Sequence, residues 1–277
     1  MANNSLRKRL ALGAAAAVAA TALLLTGCAS TASTGDYITE GKITVGTGEP
    51  AYYPYVIDDT PESGEGFEAA VAYAVAEKLG FAAEDVVWVR TTFDAAIAPG
   101  AKDFDFNLQQ YSITEERKAN VDFSSSYYSA PQAVITVEGS KAADVTDIAG
   151  LKGLLVGAAS GTTSFTVIEE QIAPTAGAQV FNSNDDAVLA LTSGQIDALV
   201  VDLPTASFLT EIQLDNGLLL GQLPAAAGVS DEWGFVLPKG SKLTAAISKA
   251  LDELKADGTL DALATKWLPF VGAPVLK

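Results

Sequence analysis

The chain contains no histidine and only one cysteine, Cys28. Without histidine, neither a Ser-His-Asp nor a Cys-His nucleophile can be assembled, and imidazole-based zinc or iron sites are excluded as well. A lone cysteine closes no internal disulfide and builds no thiolate cluster. No metal and no cofactor is expected, although acid–base chemistry by carboxylates, lysine or tyrosine stays open. Positive charge is also scarce, with 17 Lys and Arg against 34 Asp and Glu. So acidic a chain is a poor partner for nucleic acid, where affinity is carried by basic patches. Its field mildly favours neutral or cationic solutes. Long apolar runs are limited to one, Leu10 to Leu25, shorter than the roughly 20 residues a spanning helix needs.

That run follows Arg7, Lys8 and Arg9 and ends in Leu25-Thr-Gly-Cys28. A basic segment, an apolar segment and small residues at the end make a secretion signal over residues 1–27. LTGC looks like a bacterial lipobox, which implies cleavage before Cys28 and lipidation of its thiol. Residues 28–36 are then a lipidated cysteine and a tether of Ser, Thr, Ala and Gly. With the three leader cations removed, 14 of the 17 basic residues remain against all 34 acids.

What is present in quantity is apolar sequence, 49% of 277 residues, enough for one large domain or two lobes. Strands are expected at Lys42–Thr47, Val86–Val89, Phe104–Leu108, Val134–Val137, Leu154–Gly157, Gln179–Phe181, Ala198–Val201, Leu218–Leu220 and Gly234–Leu237. Between them, Phe67, Val71, Ala74, Val75 and Leu79 fall at helical spacing, with Gly80 as a stop. Short helical stretches are predicted at Phe93–Ile97 and, capped by Ser183, at Asp185–Thr192. Leu243, Ile247, Leu251 and Leu254 form one face of a later helix, and a last helix runs to about Trp267. Strands alternating with helices predict an α/β fold in two halves.

Open α/β sheets bind ligands where strands end in polar turns. Asn107 to Asp122, NLQQYSITEERKANVD, is such a place. Arg117 is a fixed cation whose planar fork can grip a carboxylate with two parallel bonds. Ser160 to Ser164, SGTTS, follows a strand and opens a helix, a turn whose N–H groups can face an anion. Asp202 ends the apolar strand ALVV, where it can either hold an ammonium or cap the turn before Pro204. Each feature taken singly also fits an ordinary solvated helix start or turn.

In order along the chain stand GEGFEAAVAYAVAEKLG (64–80), SITEERKANVDFSSSYY (112–128), SGTTS, QIDALVVD (195–202) and DELKADGTLDALATKW (252–267). Together they resemble the polar amino-acid solute-binding proteins of ABC importers, over nearly all of the chain from Lys42 to Trp267. The resemblance implies a two-lobed periplasmic-binding-protein fold of type II with two hinge crossings. Residues 37–129 and 230–277 would form lobe 1, and 130–229 lobe 2. It implies that Arg117 pairs with the α-carboxylate of a free amino acid. Ser112 and the backbone of Thr163 help hold that group, with Thr162 beside them. Asp202 takes the α-ammonium, assisted by the Gln110 carbonyl. Tyr52 and Phe93 sandwich the ligand side chain, and Glu49 stands where some members face a basic group. Three departures from the family pattern are Gln110, where a small residue is usual, Ala159, where a longer polar residue often precedes SGTT, and the loop Gly48 to Pro54 around Glu49, which differs slightly in length. The partners implied are an amino acid with a polar or cationic side chain, an importer permease and, through Cys28, the membrane. The receptor would be a monomer without enzymatic activity. The competing readings are a carboxylate-dependent dehydratase on the same fold and a ligand sensor.

Overall fold

Ile43–Gly48 (β1) is buried along its whole length, as a central strand must be. The computed structural model describes residues 37–225, 231–268 and 272–277; the expected signal segment, Cys28 and the tether lie outside them. β1 is followed by Phe67–Lys78 (α1), Val86–Thr91 (β2), Phe93–Ile97 (α2), Phe106–Asn107 (β3), Glu115–Lys118 (α3) and Val121–Ser129 (β4). The chain then passes to a second set: Gln132–Val137 (β5), Ile148–Leu151 (α4), Val156–Ala159 (β6), Thr163–Val167 (α5), Gln179–Phe181 (β7), Asn184–Thr192 (α6), Ala198–Asp202 (β8), Leu203–Phe208 (α7) and Gly217–Gln222 (β9). Glu232–Pro238 (β10), Thr244–Ala256 (α8) and Thr259–Trp267 (α9) return to the first set.

The result is two five-stranded sheets, ordered β2-β1-β3-β10-β4 and β7-β6-β8-β5-β9. In each, three parallel strands are followed by one antiparallel strand inserted between the third strand and the edge. The inserted strands, β10 and β5, are those entering from the other lobe. Lobe 1 buries α1, α8 and α9 against its sheet around Trp233, Phe67, Phe106, Ile247 and Leu251. Lobe 2 has an apolar cluster on either face of its sheet, one around Ile168 and Leu151, the other around Ile135 and Leu199.

Two expectations change. Of the predicted strand Phe104–Leu108, only Phe106 and Asn107 pair as strand. On either side of them the Asp105 and Leu108 N–H groups still donate to the Thr44 and Gly46 carbonyls of β1 (2.8 and 3.1 Å), while the Asp105 carboxylate takes the N–H groups of Thr44 (2.7 Å) and Ile38 (2.9 Å). The second change concerns 230–277, expected entirely in lobe 1. Residues 272–277 lie on lobe 2 instead. The Gln222 N–H donates to the Pro274 carbonyl, the Leu276 N–H to the Gln222 carbonyl, and the Ile148 N–H to that of Lys277. Leu276 is buried in the Ile168–Leu151 cluster. Its apolar side chain supplies the reason, since lobe 2 offers it a pocket.

Candidate functional site

Three short helices carry site residues directly behind threonine caps. Thr92 Oγ1 accepts the Ala95 N–H at the start of α2, which opens with Phe93. Thr114 Oγ1 accepts the N–H of Arg117 itself in α3. Thr162 Oγ1 accepts the Phe165 N–H and donates to the Ala159 carbonyl, fixing the turn into Thr163 and α5. A cap of this kind contributes about 1 kcal/mol and, more usefully here, fixes where the first helical side chains point.

The carboxyl ends of β1, β3, β6 and β8 face one another across a cavity of about 260 Å³. All nine residues singled out from sequence line it: Glu49, Tyr52, Phe93, Gln110, Ser112, Arg117, Thr162, Thr163 and Asp202. Arg117 is 7% exposed. Nη1 donates to the Ser112 carbonyl at 2.7 Å and Nη2 reaches across to the lobe 2 carbonyl of Gly161 at 2.9 Å. Its guanidinium lies over the rings of Phe93 and Tyr111, 5.5 and 5.9 Å from their centroids. Burial works against the charge, and Tyr111 and Asp202 work for it. Phe93 thus has a second task beyond any sandwich, as a floor for the cation.

Asp202 makes no capping bond to the turn before Pro204. Its Oδ1 accepts Gln132 Nε2 at 2.5 Å, and Gln132 Oε1 in turn accepts the Ser164 hydroxyl at 2.6 Å. Burial in the cleft, and after it the neighbouring Asp231 carboxylate, push the Asp202 carboxyl up to about 8. An ammonium placed beside it would reverse that shift. Asp231 Oδ1 is enclosed and among the described residues finds no hydrogen-bond partner.

Glu68, on α1, escaped the sequence reading. It is 2% exposed and lines the same cavity. Its carboxylate accepts the Gln110 N–H (2.8 Å), Gln110 Nε2 (2.5 Å) and the Tyr127 hydroxyl. Burial raises it to about 7, against the pull of those bonds. This explains how a glutamine stands where the family usually has a small residue. Gln110 adopts a left-handed φ of +54°, and Glu68 clamps both its main chain and its side chain there. The signal in the sequence was an acid inside an otherwise apolar helical run, Phe67 to Ala76. Gly66, just before it, has φ +104°, and a Cβ there would lie 2.4 Å from the Tyr55 carbonyl.

Around the cavity the lobes touch directly. Tyr52 donates to Asp185 (3.3 Å) and Ser160 to Asp94 (3.3 Å). The hydroxyls of Ser112 and Thr163 lie 3.2 Å apart, and those of Tyr55 and Thr205 2.9 Å apart. The rings of Tyr53 and Phe208 pack at 4.7 Å. This is a closed cleft with opposite charges from opposite lobes. Among the described residues, no group of three acids could hold a metal ion.

Comparison with known proteins agrees with this geometry. The family described as bacterial extracellular solute-binding proteins, family 3, matches residues 43–270. The chain is 30% identical over 261 residues to the lysine/arginine/ornithine-binding periplasmic protein of Escherichia coli, covering 89% of this chain and 95% of that protein. It is 32% identical over 220 residues to an ABC transporter glutamine-binding protein of Bacillus subtilis, covering 75% of each. An ancestral arginine-binding protein solved with arginine superimposes with a TM-score of 0.67 at 31% identity, over 82% of this chain and 98% of that one. With the two-lobed fold, the interlobe cleft and this match, the chain belongs to the bacterial extracellular solute-binding proteins, family 3.

Proposed function

We propose that the protein captures a free amino acid in the interlobe cleft and delivers it to an ABC importer, held outside the cytoplasmic membrane by a lipid on Cys28. The observation that carries this reading is the pair Arg117 and Asp202, one from each lobe, lining a single cavity. A zwitterion leaving water needs both charges paired, because an unpaired buried charge costs several kcal/mol. Arg117, Ser112 and Thr163 take the carboxylate, while Asp202 and the Gln110 carbonyl take the ammonium. Only the closed form presents both sets, so ligand binding favours closure, the differential affinity a receptor needs. Tyr52 and Phe93 flank the ligand side chain, and Glu49 favours one that is polar or cationic.

Thermal unfolding of the purified chain against the twenty amino acids, ornithine and citrulline tests this. Ligand at about 1,000 times its Kd adds about 4 kcal/mol. At this chain length that raises Tm by several degrees. No rise with any amino acid would sink the reading.

A further inference from the structure

Gln109 lines the cavity beside the residues above but has no part in holding the α-carbon groups. It is 9% exposed. Its Nε2 has two hydrogens and both are engaged, one with Thr91 Oγ1 at 2.9 Å and one with Asn107 Oδ1 at 3.0 Å. Asn107 Nδ2 donates in turn to the same Thr91 oxygen at 3.0 Å. Turning the Gln109 amide over would set its carbonyl against Asn107 Oδ1, exchanging a hydrogen bond for a repulsion between two acceptors. The side chain is therefore locked with its oxygen outward. Among the described residues, no donor reaches Oε1.

That oxygen stands over Gly48 at the end of β1. A Cβ at Gly48 would lie 3.2 Å from Gln109 Oε1 and 2.6 Å from the Pro50 carbonyl oxygen. A bare glycine leaves room beside both acceptors. Glu49 and Asp94 add carboxylates to the same lining, and among the described residues its sole cation is Arg117. Away from the charges that meet the zwitterion, this wall offers acceptors held in place; the nearby Arg90 lies outside the lining, its guanidinium engaged by the Gly48 carbonyl at 2.8 Å and by Asp59.

Resting on the proposed amino-acid reading, we infer that Gln109 is a specificity-determining residue: its locked carbonyl oxygen accepts a hydrogen bond from the end of the ligand side chain, so the ligand's side chain ends in a donor, preferably a cation. Thr91 and Asn107 are positioning residues that fix the polarity of the amide. A ligand ending in a carboxylate would be set against the Gln109 oxygen and the Glu49 and Asp94 carboxylates, and an apolar one would leave the oxygen unpaired.

Matched pairs test it. L-lysine and L-norleucine differ at the terminal ammonium, and L-glutamine and L-glutamate are near-isosteric with opposite hydrogen-bond character. Titration calorimetry on the full chain should show the donor member of each pair binding at least tenfold more tightly. Gln109→Met should shrink the lysine-to-norleucine ratio at least tenfold. Thr91→Val, which removes the anchor of the Asn107 amide and so loosens the group that sets the polarity of Gln109, should narrow the glutamine-to-glutamate gap. Should Gln109→Met not fold, Gln109→Glu keeps the acceptor and should hold or widen the lysine preference; a fall overturns the inference. So would equal binding within the pairs by the unaltered chain, or a ratio unmoved in Gln109→Met. Binding that is abolished in Arg117→Ala while the Gln109 ratio stays fixed would overturn this inference alone. No binding of any of the four would overturn this inference, while the receptor reading falls only if no amino acid raises Tm.

Discussion

The two lobes share one strand plan and differ in what fills it. In each, three parallel strands precede an inserted antiparallel one. Yet the largest fully buried side chains in lobe 1 are mainly aromatic, including Trp233, Tyr55, Tyr111, Phe67, Phe104, Phe106 and Phe235, whereas those in lobe 2 are Ile135, Leu151 and Ile168. The aromatic lobe has polar tips inside: Tyr127 reaches Glu68, and Tyr111 donates to the Phe93 carbonyl. It holds a buried carboxylate and a buried guanidinium in fixed positions. The aliphatic lobe has fewer such handles and secures Asp202 through a single amide relay, Ser164 to Gln132. Topology sets where strand ends converge, and core chemistry sets how firmly a charge is held there.

Breaking the firmer side should cost most. Arg117→Ala leaves the ligand carboxylate buried without its cation, a loss on the order of 3–5 kcal/mol, and calorimetry should find no measurable binding. Asp202→Asn keeps an acceptor but removes the charge. A loss of about 1.5–3 kcal/mol is expected, roughly ten- to a hundredfold in Kd.

The same substitution sharpens the comparison through pH. In the empty protein Asp202 holds its proton up to about pH 8 and Glu68 up to about pH 7. In the unfolded chain both lose it near pH 4. The native state thus binds more protons across that window, and stability of the empty protein falls as pH rises through it. Tm should drop between pH 5 and 8, less steeply in Asp202→Asn. Ligand ammonium needs the ionised carboxylate, so affinity should rise with pH up to about 8. Glu68→Gln should leave that rise intact, placing the effect in lobe 2. The smallest effect belongs to the rim. Ser160→Ala removes one long, exposed hydrogen bond to Asp94 and should change Kd less than tenfold.

Most of the fold was legible because its devices are local. Helix α6 starts where Ser183 caps it, and α8 keeps Ile247, Leu251 and Leu254 on the buried face. The site was legible wherever a residue type is rarely needed for anything else, as with Arg117 behind a strand and Asp202 at the end of one. What escaped depends on contacts distant in sequence. Glu68 acts on Gln110, 42 positions away, and Gln132 on Asp202, 70 away. Gln109 was visible as a residue, but the polarity of its amide is set by Asn107, itself anchored by Thr91 in another strand. Residues 272–277 gave no periodic signal that would assign them to either lobe.

Those six residues have a consequence for how copies of the protein coexist. β9 is the outer strand of its sheet, and an uncovered outer strand offers its N–H and C=O groups to any extended chain that approaches. Val275 and its neighbours occupy the end of that row at Gln222. Under crowding, where identical molecules collide often, this self-supplied strand leaves less of the edge for a neighbour to extend, and so guards against chains of sheets growing from one molecule to the next.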